Sequence, residues 1–150
     1  MSEDFNLAEL YPLIAEGIKA GGTYRFYPKG VSMLPLLVEG VDSVVLSSPL
    51  NLKKDDIVLY RRDNGMFVIH RITKIADTIS MCGDNQFYIE KDILIEQILA
   101  KVSAIYKKDR LVKLDSTGYN FYVKMLPLRR FWLKNLFRAR NMVKKIFKGR

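Results

Sequence analysis

At 150 residues, 49% apolar and 27% charged, the chain has enough material for one packed domain with an appendage and is too apolar for wholesale disorder. A single cysteine, Cys82, excludes an intramolecular disulfide framework and a paired-cysteine zinc site, and a single histidine, His70, excludes a histidine-rich metal cluster. The net charge of +9 is local: residues 1–115 hold all sixteen acidic and fifteen basic side chains, whereas residues 116–150 hold ten basic ones and no acid, which describes a nearly neutral body with a cationic arm.

Met1 to Phe5 is acidic and polar, not the basic start of a leader, and no stretch approaches the roughly 18 to 20 apolar residues needed to span a bilayer. The expectation is a cytoplasmic protein that meets the inner face of a membrane from one side, if it meets one. Leu7, Leu10, Leu13, Ile14 and Ile18 recur at helical spacing and Gly21-Gly22 stops the pattern, which predicts an amphipathic helix over 6–20 inside an N-terminal segment 1–22. From Thr23 to Leu114 the chain changes to short runs rich in Val, Ile and Tyr: Thr23–Tyr27, Ser43–Leu46, Ile57–Arg61, Phe67–Ile75, Thr78–Cys82, Ile98–Tyr106 and Arg110–Leu114. These read as strands, and Asp63-Asn64-Gly65 reads as a tight primed hairpin turn between two of them. The fold class expected is mainly β, an antiparallel β domain over 23–115 with a helix at either end.

Past Ser116-Thr117-Gly118, Trp132, Leu133, Leu136, Phe137, Met142, Val143, Ile146 and Phe147 recur every three to four residues. Arg130, Lys134, Asn141, Lys144, Lys145 and Lys148 fill the remaining face, and Pro127 suits the opening of a helix over 128–148. A basic, aromatic, amphipathic helix matches segments that lie flat in a membrane interface. The competing reading packs its apolar stripe on the β domain or on a partner. Nucleic acid is not expected as a partner.

Three stretches carry the chemistry. In Gly30-Val31-Ser32-Met33-Leu34-Pro35 an irregular segment between strands presents a hydroxyl and leaves backbone N–H groups available to an oxyanion. In Phe67-Val68-Ile69-His70-Arg71-Ile72 an imidazole sits among large apolar residues, where it either acts as base for a serine or is a core histidine bonded to a carbonyl. In Met81-Cys82-Gly83-Asp84-Asn85 a strand ends in a turn bearing a carboxylate. That carboxylate either fixes the turn or, alternatively with Glu90 or Asp92, orients the imidazole as third member of a triad.

Gly30-x-Ser32-Met33-x-Pro35, then Gly40-x-Asp42-Ser43-Val44, then Asp56-Ile57-Val58, then His70-Arg71-Ile72, then Gly83-Asp84-Asn85, in this order, resemble the serine peptidases that include signal peptidases and LexA-like self-cleaving proteins. The resemblance spans residues 24–106 and looks like the branch whose base is His, as in archaeal and endoplasmic-reticulum signal peptidases. It implies the family's antiparallel β fold, Ser32 as nucleophile, His70 as general base and a contribution from Asp84. It also implies an acid seven residues after the Gly, a position held here by Glu90 in place of the family's Asp. With Gly30 two residues before the nucleophile, as in LexA-like proteins, the backbone N–H groups of Ser32 and Met33 remain as oxyanion donors. The implied substrate is an extended peptide, a leader or precursor with small residues before the cut, and no cofactor or metal is implied. A non-catalytic binding module of the same fold, docking on a membrane or partner, is the competing function.

Overall fold

The computed structural model describes residues 7–148, and the surroundings of side chains from Tyr11 to Lys145. The polar start Met1–Phe5, Asn6 at the expected helix start, and the side chains of Leu7, Leu10, Ile146, Phe147 and Lys148 lie outside the described residues.

The first helix, α1, covers Leu7–Lys19. Ile14 and Ile18, one turn apart, are buried in the core, while Leu13 is 72% exposed and falls outside the stripe. Eight strands follow: β1 (Tyr24–Phe26), β2 (Ser43–Ser47), β3 (Ile57–Arg61), β4 (Phe67–Ile75), β5 (Ile79–Cys82), β6 (Glu90–Ile93), β7 (Ile98–Lys107) and β8 (Arg110–Val112). They form one antiparallel sheet in the order β1-β2-β7-β3-β4-β5-β6, with β8 on β7. The protein is therefore mainly β, as the alternating Val, Ile and Tyr runs predict. β6 is the strand that the sequence hides: Glu90-Lys91-Asp92 shows no apolar alternation, and it is a strand because Met81 pairs with Glu90 and Ile79 with Ile93.

β3 and β4 are covered on both faces, and residue parity decides which side chain goes where. Ile57, Leu59 and Ile69 join a core with Ile14, Ile18, Met33, Leu36 and Leu37. Val58, Tyr60 and Ile72 join a second core with Ile79, Met81 and Ile93. The hairpin register pairs Val58 with His70 and Ile57 with Arg71, so His70 faces the second core and Arg71 the first. The connecting loop differs from the expected primed turn: only Gly65 in it takes a positive φ, and the Arg62 N–H donates to Met66 O across a longer loop.

The C-terminal helix, α2, runs from Thr117 to Lys148, eleven residues earlier than the spacing predicts, with Pro127 inside it rather than at its opening. The reason lies at Ser116, whose hydroxyl accepts from the Tyr119 N–H at 3.3 Å and whose carbonyl accepts from the Asn120 N–H at 2.9 Å, starting the helix there. Tyr119, Tyr122 and Leu126 then pack onto the body, Leu126 being buried. No helix among the described residues is long and apolar enough to cross a membrane.

Candidate active site

Ser32 lies in a loop between β1 and β2 whose shape is set by its own acids. Gly30 takes φ +92°, open to glycine, and its N–H donates to Glu39 at 2.9 Å. Asp42, 1% exposed, accepts from the Val38 N–H at 2.9 Å and from the Lys108 N–H at 3.2 Å. Met33, Leu36 and Leu37 anchor the same loop in the first core. The motif Gly40-x-Asp42 thus serves as the clamp that closes the Ser32 loop. Among the described residues, neither the Ser32 nor the Met33 N–H donates to another backbone or side-chain group.

The loop rests on the turn after β5. The Asn85 N–H donates to Ser32 O at 2.8 Å, and Asn85 Nδ2 donates to Val31 O at 3.2 Å. At Gly83 a Cβ would stand 2.5 Å from Ser32 O, so only glycine lets the two segments approach this closely. β4 and β5 pair Arg71 with Cys82. One step further in that antiparallel register, Gly83 falls beside His70, and the absent side chain leaves its space to the Ser32 backbone. No hydrogen bond joins Ser32 Oγ to His70 among the described residues, and catalytic contacts in a substrate-free site commonly close only around substrate.

His70 is 1% exposed. Its Nδ1 lies 3.2 Å from Glu90 Oε1 and 3.1 Å from Tyr60 Oη. A carboxylate can only accept, so Glu90 selects the tautomer with hydrogen on Nδ1 and leaves the Nε2 lone pair to act as base. Glu90 is itself held by Arg62 through a fork, with Arg62 Nε donating to Oε2 at 2.8 Å and Nη2 to Oε1. Burial takes the His70 pKa down to about 4, against an opposing pull from Glu90. Burial would raise the Glu90 carboxyl, but hydrogen bonds from Arg62 and Tyr60 bring it below the ordinary carboxylate range. The result is a neutral imidazole facing an ionised carboxylate.

Of the acids weighed in the sequence, Glu90 is the one beside His70. Asp84, fully buried, lies on the other side of the sheet: Arg71 Nε and Nη2 donate to its two oxygens at 2.9 and 2.7 Å, and Tyr122 Oη donates at 2.9 Å. Its position makes it a positioning group for the turn under Ser32. Asp92 lies in β6 with Thr78 Oγ1 donating to it at 3.4 Å. Four residues with clear roles escaped the sequence reading. Tyr60 and Arg62 hold the His70–Glu90 pair, and Tyr122 and Arg129 hold the turn, Arg129 donating to Asp84 O at 3.2 Å and to Asn85 Oδ1 at 2.8 Å. Tyr60 has a legible signal, since the hairpin that aligns Val58 with His70 puts position 60 on the same face. Arg62, Tyr122 and Arg129 have none.

Beside Glu90 opens a cleft of ≈ 420 Å³ lined by Arg62, Asn85, Gln86, Phe87, Tyr88 and Glu90. Comparison of the chain with family models, with curated proteins and with solved structures finds no match.

Proposed function

We propose that the protein is a serine endopeptidase of the signal-peptidase and LexA-like kind, acting on a leader or precursor peptide. Ser32 is the nucleophile, His70 the general base and Glu90 the group that orients it. One observation carries this reading: the Ser32 segment seats on Gly83, which lies one register step past the Arg71–Cys82 pair and so next to the position of His70, whose Nδ1 is held by the Glu90 carboxylate. The cleft along Asn85 and Glu90 gives an extended peptide a place to lie.

In the reaction the Ser32 oxygen attacks the scissile carbonyl while its proton passes to His70 Nε2. The N–H groups of Ser32 and Met33 hold the oxyanion, and the C–N bond breaks as the imidazolium gives its proton to the leaving amine. Glu90 stabilises the imidazolium during its brief existence. Water, deprotonated by His70, then hydrolyses the ester and restores the hydroxyl.

General-base assistance is worth about 10² to 10⁴ in rate, so Ser32→Ala and His70→Ala each reduce cleavage of a precursor peptide to background while the folded spectrum persists. A serine-directed acylating probe labels wild-type protein at Ser32 and leaves His70→Ala unlabelled. Full turnover by either folded variant refutes the assignment, and a wild type that never labels favours the non-catalytic binding module.

A further inference from the structure

The strongest unassigned feature of the molecule is that α2 is apolar on two faces. Tyr119, Tyr122, Leu126 and Leu133 follow one another at three- to seven-residue steps on the face that packs against the body, and Phe137 on that face meets Phe87 with ring centroids 5.3 Å apart. Phe121, Met125, Leu128, Trp132, Leu136 and Val143 follow at steps of three, four and seven residues, displaced from the first series by about a third of a turn. They point away from the body. Phe121 is 65% exposed, Trp132 66%, Leu136 60% and Val143 51%. A helix that only caps a globular domain needs one apolar stripe.

We propose that this outward face is a docking surface for an anionic lipid bilayer, on which α2 lies flat in the interface. The proposal does not depend on the peptidase reading. Charge decides the occupant. Lys124, Lys134, Arg138, Arg140, Lys144 and Lys145 are all exposed along the helix, and no acid follows Asp115. A second copy of the helix would bring two acid-free cationic stripes together, which like charge opposes. A nucleic acid would meet rings and aliphatic chains at the centre of the face, where phosphate contacts require cations. An anionic bilayer supplies hydrocarbon for the centre and negative headgroups for the flanks, and an indole such as Trp132 suits the boundary between them.

Trp132 is the chain's one tryptophan, so its emission reports on this face alone. With vesicles of phosphatidylglycerol and phosphatidylcholine at low ionic strength, the emission of the full-length protein shifts to the blue, brominated lipid quenches it, and the protein floats with the vesicles. Phosphatidylcholine alone gives little of either. The double variant Leu128→Glu/Leu136→Glu keeps its circular dichroism, because both side chains are exposed, and loses flotation. Arg138→Gln and Lys145→Gln each lower the partition coefficient about fivefold. Emission unchanged by anionic vesicles overturns the proposal, as does equal flotation by the Glu variant. So does a self-associated state that buries Trp132, or a blue shift produced by an acidic polypeptide or duplex DNA and not by vesicles.

Discussion

Neutral imidazole is the form in which His70 is useful, and burial secures it by taking the pKa to about 4. The same shift has a thermodynamic cost at low pH. An unfolded chain carries this imidazole at its ordinary pKa near 6.5. Above that value neither state binds the proton and no stability is lost. As pH falls from 6.5 toward 4, the unfolded chain takes up a proton that the folded chain refuses, so stability declines through that window, by about 3 kcal/mol in full. His70 is the only histidine, so urea unfolding at pH 7, 6 and 5 reports it without interference, and His70→Gln flattens the decline between pH 6.5 and 5. Glu90, whose folded pKa is depressed, adds stability present above its unfolded value and lost only at lower pH. In the proposed reaction Glu90 acts through orientation. Glu90→Gln offers Nδ1 an amide that donates as well as accepts, and removal of the orienting charge in such triads lowers kcat by up to about 10⁴-fold. The check is kcat against KM, with KM nearly unchanged. Ser32 and His70 were legible as candidates because each lies in a motif contiguous in the chain, and Glu90 only by its spacing from Gly83, as one of three acids. Arg62 was not, because what makes it a partner of Glu90 is a strand, β6, without an apolar pattern.

Where two elements meet, the turn at Gly83-Asp84-Asn85 does the joining: the Ser32 loop lies on one side of it and the first turns of α2 on the other. Its stiffness comes from the Arg71–Asp84 pair, with side chains 1% and 0% exposed and nitrogen and oxygen 2.7 Å apart. Removing one member strands a buried charge, so Asp84→Ala destabilises by about 3–5 kcal/mol in urea unfolding. Tyr122→Phe removes one hydrogen bond to that carboxylate and costs about 1.5–3 kcal/mol. Gly83→Ala is different in kind. Its methyl meets a backbone oxygen at 2.5 Å, so the Ser32 loop must move, and the expected result is a loss of acylation by the serine-directed probe larger than any change in Tm. β3 and β4 begin and end where the Val, Ile and Tyr runs do, because apolar demand on both faces leaves little freedom in their limits. The start of α2 was illegible for the opposite reason. Tyr119-Asn120-Phe121-Tyr122 serves the body and the solvent at once, so its residues follow no single stripe, and Pro127 marks a helix opening by habit when the Ser116 cap had already made one.

At the scale of the molecule, the charge asymmetry becomes a division of space, with a body near neutrality and a cationic helix of about 48 Å by its residue count. Electrostatic attraction between exposed groups and a charged surface is screened at distances beyond about 8 Å at physiological ionic strength and about 3 Å at 1 M. Flotation with anionic vesicles therefore weakens steeply as salt is raised, while cleavage of a short soluble peptide by the same protein changes little. A parallel fall in both indicates that salt acts on the cleft instead. Two parts of α2 live under different constraints. Between Tyr119 and Arg129 it contributes phenols and a guanidinium to Arg71, Asp84 and Asn85, whereas every residue from Arg138 to Lys145 is exposed. A clip beyond Phe137 should leave that bracket and most of the outward apolar face in place, and remove Arg138, Arg140, Lys144 and Lys145 from its flanks. A clip ahead of Tyr119 should take away the bracket under the Ser32 loop, so that a single appendage has a detachable tip and an indispensable root.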